Sequence, residues 1–374
     1  MDIKHPPVFM KHFGNIEDPR VVGRTDHKLI DIIAITVCAV IGGADTWVDV
    51  ALFGKSKETW FRKRLELPNG IPSHDTFGNV FAALDPKALQ TAFLQWTKEV
   101  AHTVTGVVAI DGKTVRHSYD NAKNKKAIHM VSAWATQNQM VMGQVKIDEK
   151  SNEITAIPKL LKLLELKGCI VTIDAMGCQK EIAGTIRERH ADYLLAVKGN
   201  QEYLQDDIAR HFADTNPAQH NYAKHVNKDH GRIETRQCWV SNEVQGVSHL
   251  EHWRDLNTLV MLRATREDHG ETSVETRYYI SSLTVASAEA ILAHTRSHWG
   301  IENSLHWVLD VVFNEDMSRV RTQNAAENFA IIRHIALNII KKDKSKGSNR
   351  GKRKRAGWDN DFLRQMLEGM LEGI

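Results

Sequence analysis

Cysteine is scarce. Cys38, Cys169, Cys178 and Cys238 are the only four in 374 residues, and no two form a Cys-x-x-Cys pair. This scatter argues against a disulfide framework and suits reduced core thiols in a cytoplasmic protein. Long apolar runs are missing too. The most apolar segment, Leu29 to Gly42, carries Asp31 and falls short of the ~20 residues that cross a bilayer, so no membrane partner is expected. The opening residues, with Asp2, Pro6 and Pro7, show no signal-peptide pattern. Nor is there much charge of one sign: 49 Lys and Arg face 46 Asp and Glu, a formal +3. Distribution therefore matters more than the total. Between Lys341 and Arg355, nine Lys or Arg stand against one acid, Asp343. Such a run repels itself, stays solvated and attracts polyanions. Residues 341–374 are thus expected to be a basic linker, with Lys352, Arg353, Lys354 and Arg355 touching nucleic acid, followed by a short helix from Asp361 to Leu371.

The length allows about two domains. Residues 1–103 read as a small all-helical domain. Asp26 is placed to cap a helix from His27 to Ile41, Glu58 to Leu67 is amphipathic, Ser73-x-x-Thr76 opens a helix to Leu84, and Asp85-Pro86 caps another. Helices joined by such tight turns can dock on DNA ends or form a purely structural bundle.

Near Gly106 the hydrophobic period changes to that of strands. Val107 to Ile110 is a short buried strand ending on Asp111, followed by Gly112 and Lys113 as a loop with a basic tip. A hairpin (Ala127–Ala135, Met140–Ile147), a helix (Ile154–Leu166), a strand (Cys169–Ile173) ending on Asp174, a helix (Gln179–Arg189) and a strand (Tyr193–Val197) ending at Lys198 come next. That order, a mixed sheet flanked by helices, is the order of ribonuclease-H-like α/β domains, here spanning residues 104–340. A β-rich insertion is expected at about 213–285, including a charged hairpin from His230 to Arg236 that offers Arg232 and Arg236 either to a DNA backbone or as a protected sheet edge.

The run from Thr295 to Asp310 then concentrates polar groups on an apolar helix. Ile301, Leu305, Val308, Leu309 and Val312 recur at three- and four-residue steps, and His298, Glu302, His306 and Asp310, four apart, stack on one side. The side is either a solvated face or a ligand-bearing one. Acids at strand ends sit where α/β sheets gather functional groups, and Asp111 and Asp174 on neighbouring strands would repel unless a cation lay between them. With Glu302 they make three hard oxygen donors suited to Mg²⁺ or Mn²⁺. Two such ions about 4 Å apart serve phosphodiester transfer. Zinc fits less well, since His-Glu-x-x-His is absent. His298 is a candidate phosphate ligand, and Trp299 either stacks on an unpaired base or packs in the core.

Three phrases carry a resemblance: Ala109-Ile110-Asp111-Gly112-Lys113, Ile173-Asp174-Ala175-Met176-Gly177-Cys178-Gln179, and His298-Trp299-Gly300-Ile301-Glu302-Asn303. They resemble the H-repeat-associated transposases found with Rhs elements in enteric bacteria, insertion-sequence enzymes of the DDE, ribonuclease-H-like class. The similarity runs over nearly the whole chain. It implies a catalytic and metal-holding triad of Asp111, Asp174 and Glu302, two Mg²⁺ or Mn²⁺ ions during catalysis, and double-stranded DNA partners, namely terminal inverted repeats and target DNA. It also implies a homodimer when two ends are paired. The wider class often carries Tyr-x-x-Arg-x-x-x-Glu followed seven residues later by Lys. Those places here hold Thr295, His298, Glu302 and Leu309, which leaves Arg296 and His298 to grip phosphate. The expected DNA contacts are thus Lys113, Lys198, Arg232, Arg236, Arg296, His298, Trp299 and the four basic residues at 352–355. The rival expectation is a catalytically degenerate relic that only binds DNA.

Overall fold

Local capping explains where several helices of the computed structural model begin. The structure describes residues 8–21, 23, 25–120, 125–148, 151–229 and 232–368. Its amino-terminal part supplies α1 (Val8–Phe13), α2 (Leu29–Ile41), α3 (Trp47–Ser56), α4 (Glu58–Phe61), α5 (His74–Ala83) and α6 (Pro86–Ala101). Thr46 and Asp49 form a capping box at α3, Ser73 caps α5, and Asp85 caps α6 with Pro86 at its first position. Asp26 does not cap α2; Lys28 holds that place and its side chain makes no capping bond. Burial compensates, since α2 is enclosed along nearly its whole length. The amphipathic stretch from Glu58 yields only the four-residue α4.

The sheet follows as β1 (Gly106–Thr114), β2 (His129–Ala135), β3 (Met140–Lys146), α7 (Glu153–Leu163), β4 (Cys169–Ile173), α8 (Lys180–Glu188), β5 (Asp192–Val197) and α9 (Glu202–Asp214). β6 (Asn221–Asp229), β7 (Arg232–Ser241), β8 (Thr258–Asp268) and β9 (Glu271–Ser281) complete it. All belong to one nine-stranded mixed sheet in the order β3-β2-β1-β4-β5-β9-β8-β7-β6. β1, β4 and β5 are parallel neighbours; the pairs on either side are antiparallel. The β-rich segment therefore continues the sheet, because β9 pairs with β5 from Leu194↔Ser281 to Val197↔Tyr278 and so covers an edge that β5 would otherwise expose. The tip of the expected charged hairpin, His230 and Gly231, lies outside the described residues, while Asp229 and Arg232 on either side pair directly.

The chain ends in α10 (Ala288–His298), a π-turn (Glu302–His306), α11 (Trp307–Val311), α12 (Ala325–Lys342), α13 (Asn349–Trp358) and α14 (Asn360–Leu367). α10 packs on β1, β4, β6 and β7, and α12 runs between the amino-terminal helices α2, α5 and α6 and the edge strand β3. The basic run is not a linker. Ser348 caps α13, and one turn of that helix faces inward: Lys352 pairs with Asp343 at 3.0 Å and both are buried. Arg353, 4% exposed, donates to the carbonyls of Val40, Ala44 and Val312, pairs with Asp45 at 3.0 Å and lies over the Phe313 ring. The end of α2 presents carbonyls without intrahelical partners, and a buried guanidinium satisfies them. Lys352 and Arg353 are thus internal, and only Lys354 and Arg355 of the four remain exposed. Residues 369–371 of the expected terminal helix lie outside the described residues. Among those described, no helix is long and apolar enough to cross a membrane.

Candidate active site

β1 and β4 run parallel in the register Ile110↔Ile173, so the next residue on each is an acid and Asp111 stands beside Asp174. β1 itself continues to Thr114, paired with β2 through Asp111↔Ser132, whereas β4 stops. Asp111 is therefore fixed by a strand on one side and open at the end of its neighbour on the other. Its Oδ1 accepts from Gly112 N at 2.9 Å, and Asp174 Oδ1 accepts from Gly177 N at 3.3 Å, capping the 3₁₀ turn Ala175–Gly177.

The helix expected to stack four polar groups is interrupted at Glu302–His306 by a π-turn, a feature common at functional sites. Its polar residues do not form one solvated face; three of them have partners of their own. His298 Nδ1 is 3.0 Å from Thr172 Oγ1 of β4, His306 Nδ1 is 3.4 Å from Asp111 Oδ2, and Asp310 Oδ1 is 2.6 Å from Lys113 Nζ. Glu302 stays exposed and lines a cavity of about 230 Å³ with Asp174, Lys198, His298 and Trp299.

Burial, reinforced by the charges of Asp174, Glu153 and Glu302, pushes the Asp111 carboxyl up to about 7. Glu153, at the start of α7, escaped the sequence reading because it looks like an ordinary first-turn acid. It lies 2.6 Å from His129 Nε2, and the pair needs glycine at 112, where a Cβ would fall 2.1 Å from its carboxylate. Burial likewise holds His306 neutral, its pKa pushed down to about 4. Lys113 is not a basic loop tip. It is 11% exposed and sits within 2.6, 2.9 and 3.3 Å of Asp310, Glu315 and Asp316; burial pushes its pKa down, but Glu315 and Asp310 together outweigh that and raise it. Such a side chain has no charge to spare for DNA.

Hard oxygen donors near one another are the set a divalent cation suits, and Asp174, Glu153 and Glu302 add to the burial that raises Asp111. Asp111, Asp174 and Glu302 do not bring their oxygens within 4.8 Å of one another; among the described residues only the exposed His249, Glu251 and His252 do so. The three acids thus do not form one tight cage in this structure, while their chemistry, three carboxylates, is that of a hard divalent cation's ligands.

A second cavity, about 750 Å³, adjoins the first and shares Arg277, Tyr279, Thr295 and Trp299 with it. Arg232, Arg236 and Arg296 line it, on β7 and α10. Trp299 is not a core residue. It is 45% exposed, with the Arg277 guanidinium 5.5 Å from its ring centre. Arg277 was also missed in the sequence, where nothing marks it among the alternating residues of β9.

Residues 102–339 match the family model described as the transposase DDE domain, and residues 10–97 the DDE_Tnp_1-associated model. The chain belongs to the DDE transposase family. This transposase-family chain is 42% identical to the H repeat-associated putative transposase YhhI of Escherichia coli (strain K12), over 96% of its own length and 97% of that protein's. It is 44% identical to the putative transposase YncI of Escherichia coli O157:H7, over 97% and 95%. The inactive transposase YbfQ of Escherichia coli (strain K12) is 39% identical over 19% of this chain and 84% of its own. A piggyBac transposase in a synaptic complex with hairpin DNA aligns over 97% of this chain and 78% of its own, at 11% identity and a TM-score of 0.42, a likeness that settles neither fold nor function.

Proposed function

We propose that this chain is an active, cytoplasmic DDE transposase that cuts the terminal inverted repeats of its own element and joins them to target DNA. One observation carries the reading most: the β1–β4 register sets Asp111 beside Asp174, and Asp174 lines one cavity together with Glu302. On this reading, the core of the sheet with its helices is a ribonuclease-H-like domain over residues 104–340, with the strands of about 213–285 as its insertion. Residues 1–103 form a helical domain that contacts the DNA ends.

Asp111, Asp174 and Glu302 would hold two Mg²⁺ or Mn²⁺ ions, which lower the pKa of a bound water or 3′-hydroxyl and stabilise the leaving oxygen of a phosphodiester. The chain's own residues supply the rest. Lys198 and His298 stand in the same cavity as Asp174 and Glu302, placed to orient a scissile phosphate. Arg232, Arg236, Arg277 and Arg296 continue from it as a track for the strand leaving the site, and Trp299 offers a flat apolar face at the junction. Two copies would act together when two ends are paired.

The test uses purified full-length protein and DNA carrying the sequences that flank its gene, with Mg²⁺, Mn²⁺ or chelator, read at nucleotide resolution. Wild type is expected to make metal-dependent cuts at defined ends. Asp174→Asn is expected to lose cutting and strand transfer while retaining end binding. Binding without cuts under every metal would instead identify a relic that only binds DNA.

A further inference from the structure

We infer that Lys113 and Asp310, together with the contacts of His298 and His306, form a ladder that fixes where Glu302 stands over the two strand acids; the inference rests on the proposed metal-holding role of those acids. Along β1, Asp111 and Lys113 are two residues apart, so they share a face at about 7 Å. Along the helix, His306 and Asp310 are four apart, one turn, at about 6 Å. The spacings match: Asp310 forms an ion pair with Lys113 at 2.6 Å, and one turn earlier the neutral His306 imidazole sits against Asp111, Nδ1 to Oδ2 3.4 Å. On the other flank His298, four residues before Glu302, bonds Thr172 of β4 at 3.0 Å, two residues before Asp174. Glu302 is thus bracketed, with the helix referenced to β4 before it and to β1 after it.

Apolar packing alone does not provide this. Ile301, Leu305 and Leu309 are buried, but such a stripe tolerates small slides and rotations, and the intervening π-turn makes the local twist irregular. The Lys113–Asp310 ion pair is directional and can specify register, which is the best supported use of buried charge. The lower rung is also anchored in the core. Lys113 Nζ reaches Glu315 Oε2 at 2.9 Å, and the other oxygen of Glu315 lies 3.6 Å from Arg333 Nη1 of α12, with both Glu315 and Arg333 2% exposed. The ladder residues are positioning residues. None is asked to bind metal, and Asp310 and Lys113 line neither cavity.

Mn²⁺ titration of the full-length, DNA-free protein reads this out without any reaction, by electron paramagnetic resonance of the free ion. Asp310→Asn removes one rung yet leaves Lys113 paired with Glu315 and Asp316. It is expected to weaken Mn²⁺ binding by roughly ten- to a hundredfold, the usual loss when a group behind the ligands is removed. DNA-end affinity measured in chelator should not change, and Asp310→Glu, which restores the carboxylate, should recover most of the Mn²⁺ affinity. An Asp310→Asn protein that binds Mn²⁺ like wild type overturns the ladder alone. Wild type without such binding, or with binding that survives Asp111→Asn, overturns the metal-holding reading and the ladder with it. Should Asp310→Asn fail to melt cooperatively, His306→Asn cuts the upper rung while keeping all three Lys113 ion pairs, and unchanged affinity there counts equally against the proposal.

Discussion

Asp111 is held in the folded protein at a cost. Its carboxyl moves from the ordinary 3.8 to about 7, chiefly through burial and then through Asp174, Glu153 and Glu302. Between those two values the native protein retains a proton that the unfolded chain has released, so metal-free stability falls as pH rises through the window and the full penalty applies above it. At ~1.4 kcal/mol per unit this amounts to a few kcal/mol at most. Asp111→Asn never ionises. In urea melts with chelator it should therefore be more stable than wild type by on the order of 2 kcal/mol or more near pH 8, and should show no such gain near pH 4. Equal stability at both values would mean that the carboxylate is accommodated without strain, and that the site is not a trade of stability for function. Asp111 and Asp174 were legible in the sequence because each follows an apolar run too short for anything but a buried strand. Lys113 was not, because after Gly112 it reads as a turn and its partners lie some 200 residues further on. Glu153 was hidden for the same reason, its role being set by a strand pairing and not by its neighbours in sequence.

At the scale of elements, α13 shows how a run of charge can be read wrongly. Nine basic residues in a short span repel one another in isolation, and composition carries no sign that one turn of them meets acceptors more than 300 residues earlier in the chain. Arg353 ties α13 to the end of α2 and, through the Val312 carbonyl, to the end of the helix that carries Glu302. Arg353→Ala would leave the carbonyls of Val40 and Ala44 and the Asp45 carboxylate without this donor inside the protein. A loss of roughly 3–5 kcal/mol in denaturant melts is expected, as for other broken buried pairs. The salt dependence of DNA affinity should not move, since that guanidinium never faces solvent; a flatter slope with unchanged stability would return Arg353 to the surface. The π-turn was equally illegible. The apolar steps of three and four around it fit an unbroken α-helix, and only the packing against β1 and β4 shows that the turn is wound differently.

Across the whole molecule, the succession of strands and helices was readable up to β5, because apolar runs alternate there with amphipathic helices. The join of β5 to β9 was not, and it matters most for DNA. By extending one sheet instead of forming a separate unit, it sets the arginines of β7 and β9 beside α10, so that Arg232, Arg236 and Arg296 line one cavity that opens toward Glu302. With a net charge of only +3, affinity for a polyanion has to come from such local concentration. Replacing Arg232, Arg236 and Arg296 together by Gln should therefore flatten the plot of log affinity against log salt by about 0.9 for each phosphate no longer neutralised, between one and three such steps in all. Lys354→Gln with Arg355→Gln, which removes two charges from the exposed side of α13, is the control. If the groove carries the strand, fluorescence anisotropy over a salt series shows the first slope change and little of the second. A change confined to the α13 variant would mean that the DNA track runs over the carboxy-terminal helices and that the arginine groove serves another purpose.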